Sequence, residues 1–186
     1  QSPKVYSLFP LSRFSLYRPI RFSLALFLLP LFSLAQEAKT ISVLVFLSPD
    51  CPISISQSLE LKALEEEFKE EVVFEYYFPL SEKVKGENRA FLEKMGLNKD
   101  AIGPDAWEKA QELKATTMPE VFVFKDQRLA YRGRIDNSFV ALGKRRRAGI
   151  ERELYLVLAE LHSAPFRNFD FTDPIGCLIP SKKPQS

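Results

Sequence analysis

Apolar positions along the chain fall into short blocks of two kinds. Ile41 to Leu47, ISVLVFL, is almost unbroken and rich in β-branched residues, the pattern of a strand buried on both faces. Leu59, Leu61, Leu64 and Phe68 then recur at roughly helical spacing, with Glu60, Lys62 and Glu65 to Glu67 between them. That spacing predicts an amphipathic helix over about Ile53 to Glu70, with Pro52 in its first turn. Val72 to Phe78, VVFEYYF, predicts a second strand, and the right-handed crossover rule makes the two strands parallel.

Beyond this unit the blocks shorten. Gly86 to Met95 predicts a helix ending at Gly96, and Pro104 to Ala115 another, with Ala106, Trp107, Ala110 and Leu113 on one face. Trp107 reads as a core or covering residue there. Val121 to Phe124 and Leu129 to Ile135 predict an antiparallel hairpin across the short link Lys125 to Arg128. Asp136 and Asn137 read as a turn, and Ile150 to Leu161 as a closing helix with Leu154, Val157, Leu158 and Leu161 inward. Pro165 to Ser186 reads as a mobile tail, with prolines at 165, 174, 180 and 184. The order β-α-β, helical connection, β-β-α predicts an α/β domain: a central mixed sheet of four to five strands with helices on both faces.

The first 35 residues stand apart. Lys4, Arg13, Arg18 and Arg21 form a basic region without an acid, and Phe22 to Ala35 is an apolar run interrupted only by serines and Pro30. Ser33-Leu34-Ala35 offers small residues to a signal peptidase. The run is shorter than the roughly 20 residues of a spanning helix. It therefore reads as an export signal rather than an anchor. The expected division is 1–35 signal, 36–164 domain and 165–186 tail, with a periplasmic or secreted mature protein. Charge follows this division. The whole chain carries 26 basic and 24 acidic residues, and without the four basic residues of the signal the balance is 22 against 24. That near-neutrality offers no argument for nucleic acid. An exported protein also meets an oxidising compartment, where two cysteines can pair.

Candidate chemistry centres on FLSPDCPIS, Phe46 to Ser54. Cys51 stands where a buried strand hands over to a helix, and unpaired N–H groups at a helix N-terminus favour a thiolate. Asp50 opposes this as a neighbouring negative charge. A thiol held there, ionisable and reachable, is the expectation. Thr116-Thr117-Met118-Pro119-Glu120 is the second candidate, because a proline opening a strand is a natural place for a cis bond. Arg132 and Arg134, two apart in YRGRID, read as a solvated, salt-bridged edge. Lys144 to Arg147, KRRR, reads as a solvated basic loop. One histidine, His162, and two distant cysteines make no usual metal site, and no cofactor-binding motif is present.

Taken in order, SPDCPIS, TMPEVFVF, YRGRID, LGKRR and GCLIP carry a resemblance over roughly Ile41 to Pro180. The chain resembles thioredoxin-like proteins, and within them the redoxin group that includes alkyl hydroperoxide reductase and thiol-specific antioxidant proteins. The resemblance implies a thioredoxin-like fold, Cys51 as attacking thiol and a cis Pro119 facing it. It also implies that Met118 offers backbone groups to an extended peptide. The usual second cysteine would fall at Ser54, so dithiol chemistry within the motif is not available. Cys177 is the only other cysteine, either a resolving thiol or half of a permanent staple tying the tail down. Ser48 lies three residues before Cys51, as in peroxiredoxins, but Leu44 stands where those proteins have proline. Ser48 and Ser54, with Met118, are the expected substrate contacts. The expected function is thiol–disulfide exchange with a thiol or disulfide protein partner. The alternatives are a thiol peroxidase and a non-catalytic binding module with a structural Cys51–Cys177 bond.

Overall fold

The computed structural model describes residues 41–80 and 85–183. The expected signal, 1–35, lies outside them. The elements run β1 (Ile41–Phe46), α1 (Pro52–Glu67), β2 (Val72–Tyr77), α2 (Lys85–Met95), α3 (Ala106–Leu113), β3 (Thr117–Met118) and β4 (Glu120–Lys125). They continue with β5 (Arg128–Gly133), β6 (Phe139–Ala141), β7 (Lys144–Arg145), α4 (Glu153–Ser163) and β8 (Cys177–Leu178).

Four strands form one mixed sheet in the order β2-β1-β4-β5. β1 pairs with β2 in parallel, and β4 is antiparallel to both β1 and β5. The β4–β5 link is tighter than the sequence suggests. Lys125 and Arg128 still pair, so only Asp126 and Gln127 turn, both at positive φ (51° and 62°). That is the turn whose twist suits a two-residue hairpin.

Alternation along each strand divides the core in two. Val43, Val45, Val121 and Val123 face a cluster built with Leu61, Leu64, Phe91, Leu92, Leu154 and Leu158, from α1, α2 and α4. Phe46 and Phe122 point the other way, towards Ala106, Trp107 and Ala110 of α3. Both outer edges of the sheet are covered. The Tyr76 N–H donates to Ala101 O at 2.8 Å and Gly103 N–H to Tyr76 O at 2.9 Å, which closes the β2 edge. The tail covers β5, where Phe169 N–H donates to Ala130 O and Thr172 N–H to Arg132 O. Covered edges remove a template for pairing with other chains.

α1 departs from the expected stripe. Its buried face is Ile53, Ser54, Gln57, Ser58, Leu61 and Leu64, followed by Phe68, whereas Leu59 is 76% exposed. Positions 53, 57, 61, 64 and 68 keep helical spacing, and 59 falls off that line. The polar residues inside are paired except at Gln57 Oε1, which has no hydrogen-bond partner among the described residues. Gln57 Nε2 donates to Asp136 Oδ1 at 2.7 Å, and Ser58 Oγ to Ser54 O at 2.8 Å. Asp136 is therefore a buried partner of α1, not only part of a turn.

The first half of the KRRR segment, Lys144–Arg145, is a short hairpin rung, while Arg146 and Arg147 follow it outside any strand and the whole run is exposed. β7 pairs with β6, Arg146 N–H donates to Ser138 O, and the Arg145 guanidinium lies 5.0 Å from the Phe139 ring centre.

Leu61→Ala is expected to destabilise the protein by about 3 kcal/mol, the cost of a buried cavity. Leu59→Ala should stay within about 0.5 kcal/mol. Urea unfolding of the two variants checks the rotation of α1, and equal losses would contradict it.

Candidate functional site

β1 ends inside the domain, and the chain turns through Ser48-Pro49-Asp50 into α1. Cys51 is the N-cap of that helix, with extended backbone (φ −88°, ψ 115°), and Pro52 follows in the first turn. The turn is tied by Cys51 N–H donating to Ser48 O at 3.1 Å, and Ile55 N–H begins the helix by donating to Cys51 O at 3.0 Å. Ser54 stands where a second motif cysteine would sit. Its hydroxyl accepts from the Ser48 N–H at 3.3 Å, and both serines are closed from solvent.

The Met118–Pro119 peptide bond is cis. It sits opposite the N-terminus of α1, with the Met118 carbonyl oxygen 3.2 Å from Cys51 Sγ. Glu120 holds this turn in place. Its side chain is wholly buried, and Oε2 accepts from Thr116 N–H at 2.7 Å and Thr117 N–H at 3.1 Å. Oε1 accepts from Arg132 Nε at 2.7 Å, and Arg132 also donates to Lys114 O. A buried carboxylate is tolerable only when paired and hydrogen-bonded in this way. The signal was present in the sequence, as one acid opening an otherwise apolar strand. Arg134 is likewise engaged, with Glu153 at 2.7 Å. The expected solvated edge is therefore two half-buried ion pairs, and neither arginine is among the hydrogen-bond partners of Cys51.

Cys177 comes to this site from the far end of the chain. The tail is not loose. β8 pairs antiparallel with β3, Met118 opposite Cys177 and Thr117 opposite Leu178, and Ile179 N–H donates to Thr116 O at 2.9 Å. The two thiols are free, and Cys177 Sγ donates to Cys51 Sγ across 2.7 Å. Bonding at about 2.05 Å needs little further approach.

This pairing closes the sulfur off. Cys51 is 1% exposed and packs with Ile53 and Phe139, against which Ile175 and Cys177 also lie. The sequence expectation of a reachable thiol is corrected here. The sulfur is held beside the cis proline as expected, but the chain's own tail covers it.

Electrostatics separate the two thiols. Burial pushes the Cys51 pKa up, but the Cys177 thiol, the Ser54 N–H and hydroxyl and the Cys177 N–H all favour the anion. The net position is below that of an ordinary thiol. The Met118 carbonyl opposes this, because it accepts from the thiol form and repels the anion, but it is one acceptor against several donors. Cys177 is pushed up to about 11 by burial, by its hydrogen bond to Cys51 and by the charge on Cys51. The pair therefore loses its first proton from Cys51 and keeps its second on Cys177. Among the described residues no group of histidine, cysteine and acidic side chains is placed to hold a metal ion.

A mixed sheet with a thiol at the N-terminus of the helix after its first strand, faced by a cis proline before an antiparallel hairpin, decides the architecture. The fold is thioredoxin-like. No family model and no curated protein matches the chain. Among solved structures, an uncharacterized conserved protein from Geobacillus kaustophilus is similar at 21% identity and TM-score 0.61, over 79% of this chain and 80% of that one. A hypothetical protein from Sinorhizobium meliloti 1021 is similar at 18% identity and TM-score 0.60, over 79% and 82%. A secreted Mycobacterium tuberculosis disulfide oxidoreductase homologous to E. coli DsbE overlaps over 50% of this chain and 67% of that one, at 19% identity and TM-score 0.42.

Two measurements check the site. Glu120→Ala is expected to destabilise the protein by about 3 kcal/mol in denaturant unfolding, because Arg132 and two N–H groups lose their acceptor. Cys177→Ala is expected to raise the Cys51 pKa, read as an upward shift in the pH midpoint of thiolate ultraviolet absorbance. The same pair shapes stability in the reduced protein. Cys51, depressed, lends stability above the ordinary thiol pKa and loses it as pH falls through its native value. Cys177, raised, lends stability below the ordinary value and loses it as pH climbs through about 11. Stability should therefore rise through the native range of Cys51 and fall towards pH 11, and Cys177→Ala should lessen the alkaline fall, the remainder coming from Tyr76, Tyr77 and Tyr131, whose phenols burial also pushes up.

Proposed function

We propose that the chain is a thiol–disulfide exchange protein in which Cys51 attacks and Cys177 resolves. The observation that carries this reading is the placement of Cys177 Sγ 2.7 Å from Cys51 Sγ, beside the cis Met118–Pro119 bond. The Cys51 thiolate attacks one sulfur of a partner disulfide, forming a mixed disulfide and releasing the partner's other thiolate, which takes up a proton. Cys177 then loses its proton and attacks Cys51 Sγ. The Cys51–Cys177 disulfide forms and the second partner thiol departs. Two electrons have passed from the chain's thiols to the partner, and a second thiol protein must return them. The high pKa of Cys177 suits a thiol that stays protonated until Cys51 has reacted.

Partners in this reading are proteins carrying thiols or disulfides, and no cofactor is required. Export fits the chemistry, since an oxidising compartment supplies disulfides. Among the described residues no helix is long and apolar enough to cross a membrane. Within the wider redoxin group a thiol peroxidase is the less favoured reading. Its thiolate needs a neighbouring arginine, and Arg132 and Arg134 are engaged by Glu120 and Glu153.

A second reading has its own support. With Cys51 only 1% exposed, a permanent Cys51–Cys177 bond would make the chain a thioredoxin-like binding module. The reduction potential separates the two. Exchange predicts a Cys51–Cys177 potential above about −300 mV, and a structural staple one below it. Exchange also predicts that Cys177→Ser accumulates a mixed disulfide at Cys51 with a disulfide substrate, and that Cys51→Ser abolishes turnover. A low potential with no trapped adduct would sink the exchange reading.

A further inference from the structure

The way the tail lies on the site describes what else can lie there. Its upstream end is anchored at Thr172, whose N–H donates to Arg132 O at 3.1 Å and whose hydroxyl accepts from Arg134 N–H at 3.0 Å and pairs with Tyr131 OH at 2.7 Å. A side chain at Gly133 would collide there, 2.2 Å from Thr172 Oγ1. Downstream, Ile179 joins the buried cluster of Tyr77, Trp107, Ala110, Ala115 and Met118. Between the anchors the backbone of the strap pairs with β3 over two residues, and Ile175 and Cys177 pack beside Cys51. So short a pairing is weak by itself, and lifting the strap with Thr172 still held requires Ile179 to leave its apolar site and its bond to Thr116 O.

Each strap position meets a different environment. A Cβ at Gly176 would fall 2.1 Å from the Met118 carbonyl oxygen, so the position before the cysteine admits only glycine at this approach. Leu178, after the cysteine, is 76% exposed and unconstrained. Ile179 fills an apolar site, and Ile175 packs with the group of Cys51, Ile53 and Phe139.

The geometry points to Ile175–Ile179 as the built-in occupant of a peptide groove, displaced in use by an extended polypeptide of the same pattern. That external partner has an aliphatic residue, then glycine, cysteine, any residue and a second aliphatic residue. It pairs antiparallel with Thr117–Met118 and sets its cysteine sulfur at Cys51. The inference deepens the exchange reading by naming its partner, and rests on that reading only for the chemistry after docking. It also accounts for the closed state of Cys51, which opens when the strap leaves and closes when Cys177 returns.

The test uses the full chain in a Cys177→Ser background and reads the rate at which a maleimide alkylates Cys51. Adding Gly176→Val, which drives the strap off Met118 without touching Cys51, is expected to raise that rate about tenfold. The redox-inert peptide Pro-Ile-Gly-Ser-Leu-Ile-Pro should restore protection and perturb the fluorescence of Trp107, the only tryptophan. The same peptide with valine for glycine should do neither. Ile179→Ala, a milder change at the other end of the strap, repeats the experiment should Gly176→Val unfold. An unchanged alkylation rate in a folded variant, no protection by the first peptide, or equal protection by both would overturn the proposal. Because alkylation and peptide binding require no electron transfer, a protein that passes here but fails the potential measurement keeps the groove and loses the exchange reading.

Discussion

The organisation of the site depends on one short antiparallel contact, Met118 against Cys177. It carries a thiol from the end of the domain to the thiol at the start of α1, and it shuts that thiol from water. Neither effect follows from the sheet alone. The sheet brings Cys51 and the cis Met118–Pro119 bond together, and the contact then adds the second sulfur and the cover in a single step. Reactivity and concealment therefore have one structural cause, and whatever loosens the contact changes both.

Glu120 is the less visible half of that arrangement. A carboxylate without solvent exposure is costly unless fully engaged, and here it accepts from two consecutive N–H groups and a guanidinium. These are the N–H groups of Thr116 and Thr117, next to the cis bond. The carboxylate thereby presents the Thr116 carbonyl to Ile179 and the Met118 carbonyl to Cys51. The β4–β5 hairpin supplies both Glu120 and Arg132, so the rigid sheet holds the turn that receives the tail.

Much of this was legible in the residues. The apolar run before Cys51, the helix with Pro52 in its first turn and the proline opening EVFVF led to a mixed sheet with a thiol facing a cis bond. Their signals are local, and the fold agrees with them. The remainder was hidden for physical reasons. β3 and β8 are two residues each, too short to show alternation, and β8 lies between two prolines in a stretch that otherwise reads as a loop. Leu59 looked inward because leucine usually is, yet the buried stripe was completed by Gln57 and Ser58, whose partners lie far along the chain. Arg132 and Arg134 read as surface residues because the carboxylates that bury them come from other elements. Long-range pairing, not composition, decides such positions.

The two sulfurs are separated by 126 positions along the chain. Contacts so distant in sequence form late, because closing a long loop costs entropy before the contact returns anything. A nascent chain would thus present Cys51 to its surroundings well before Cys177 has been synthesised. During that interval the early sulfur is unguarded, and any small disulfide nearby could claim it first, releasing half of itself as a thiol.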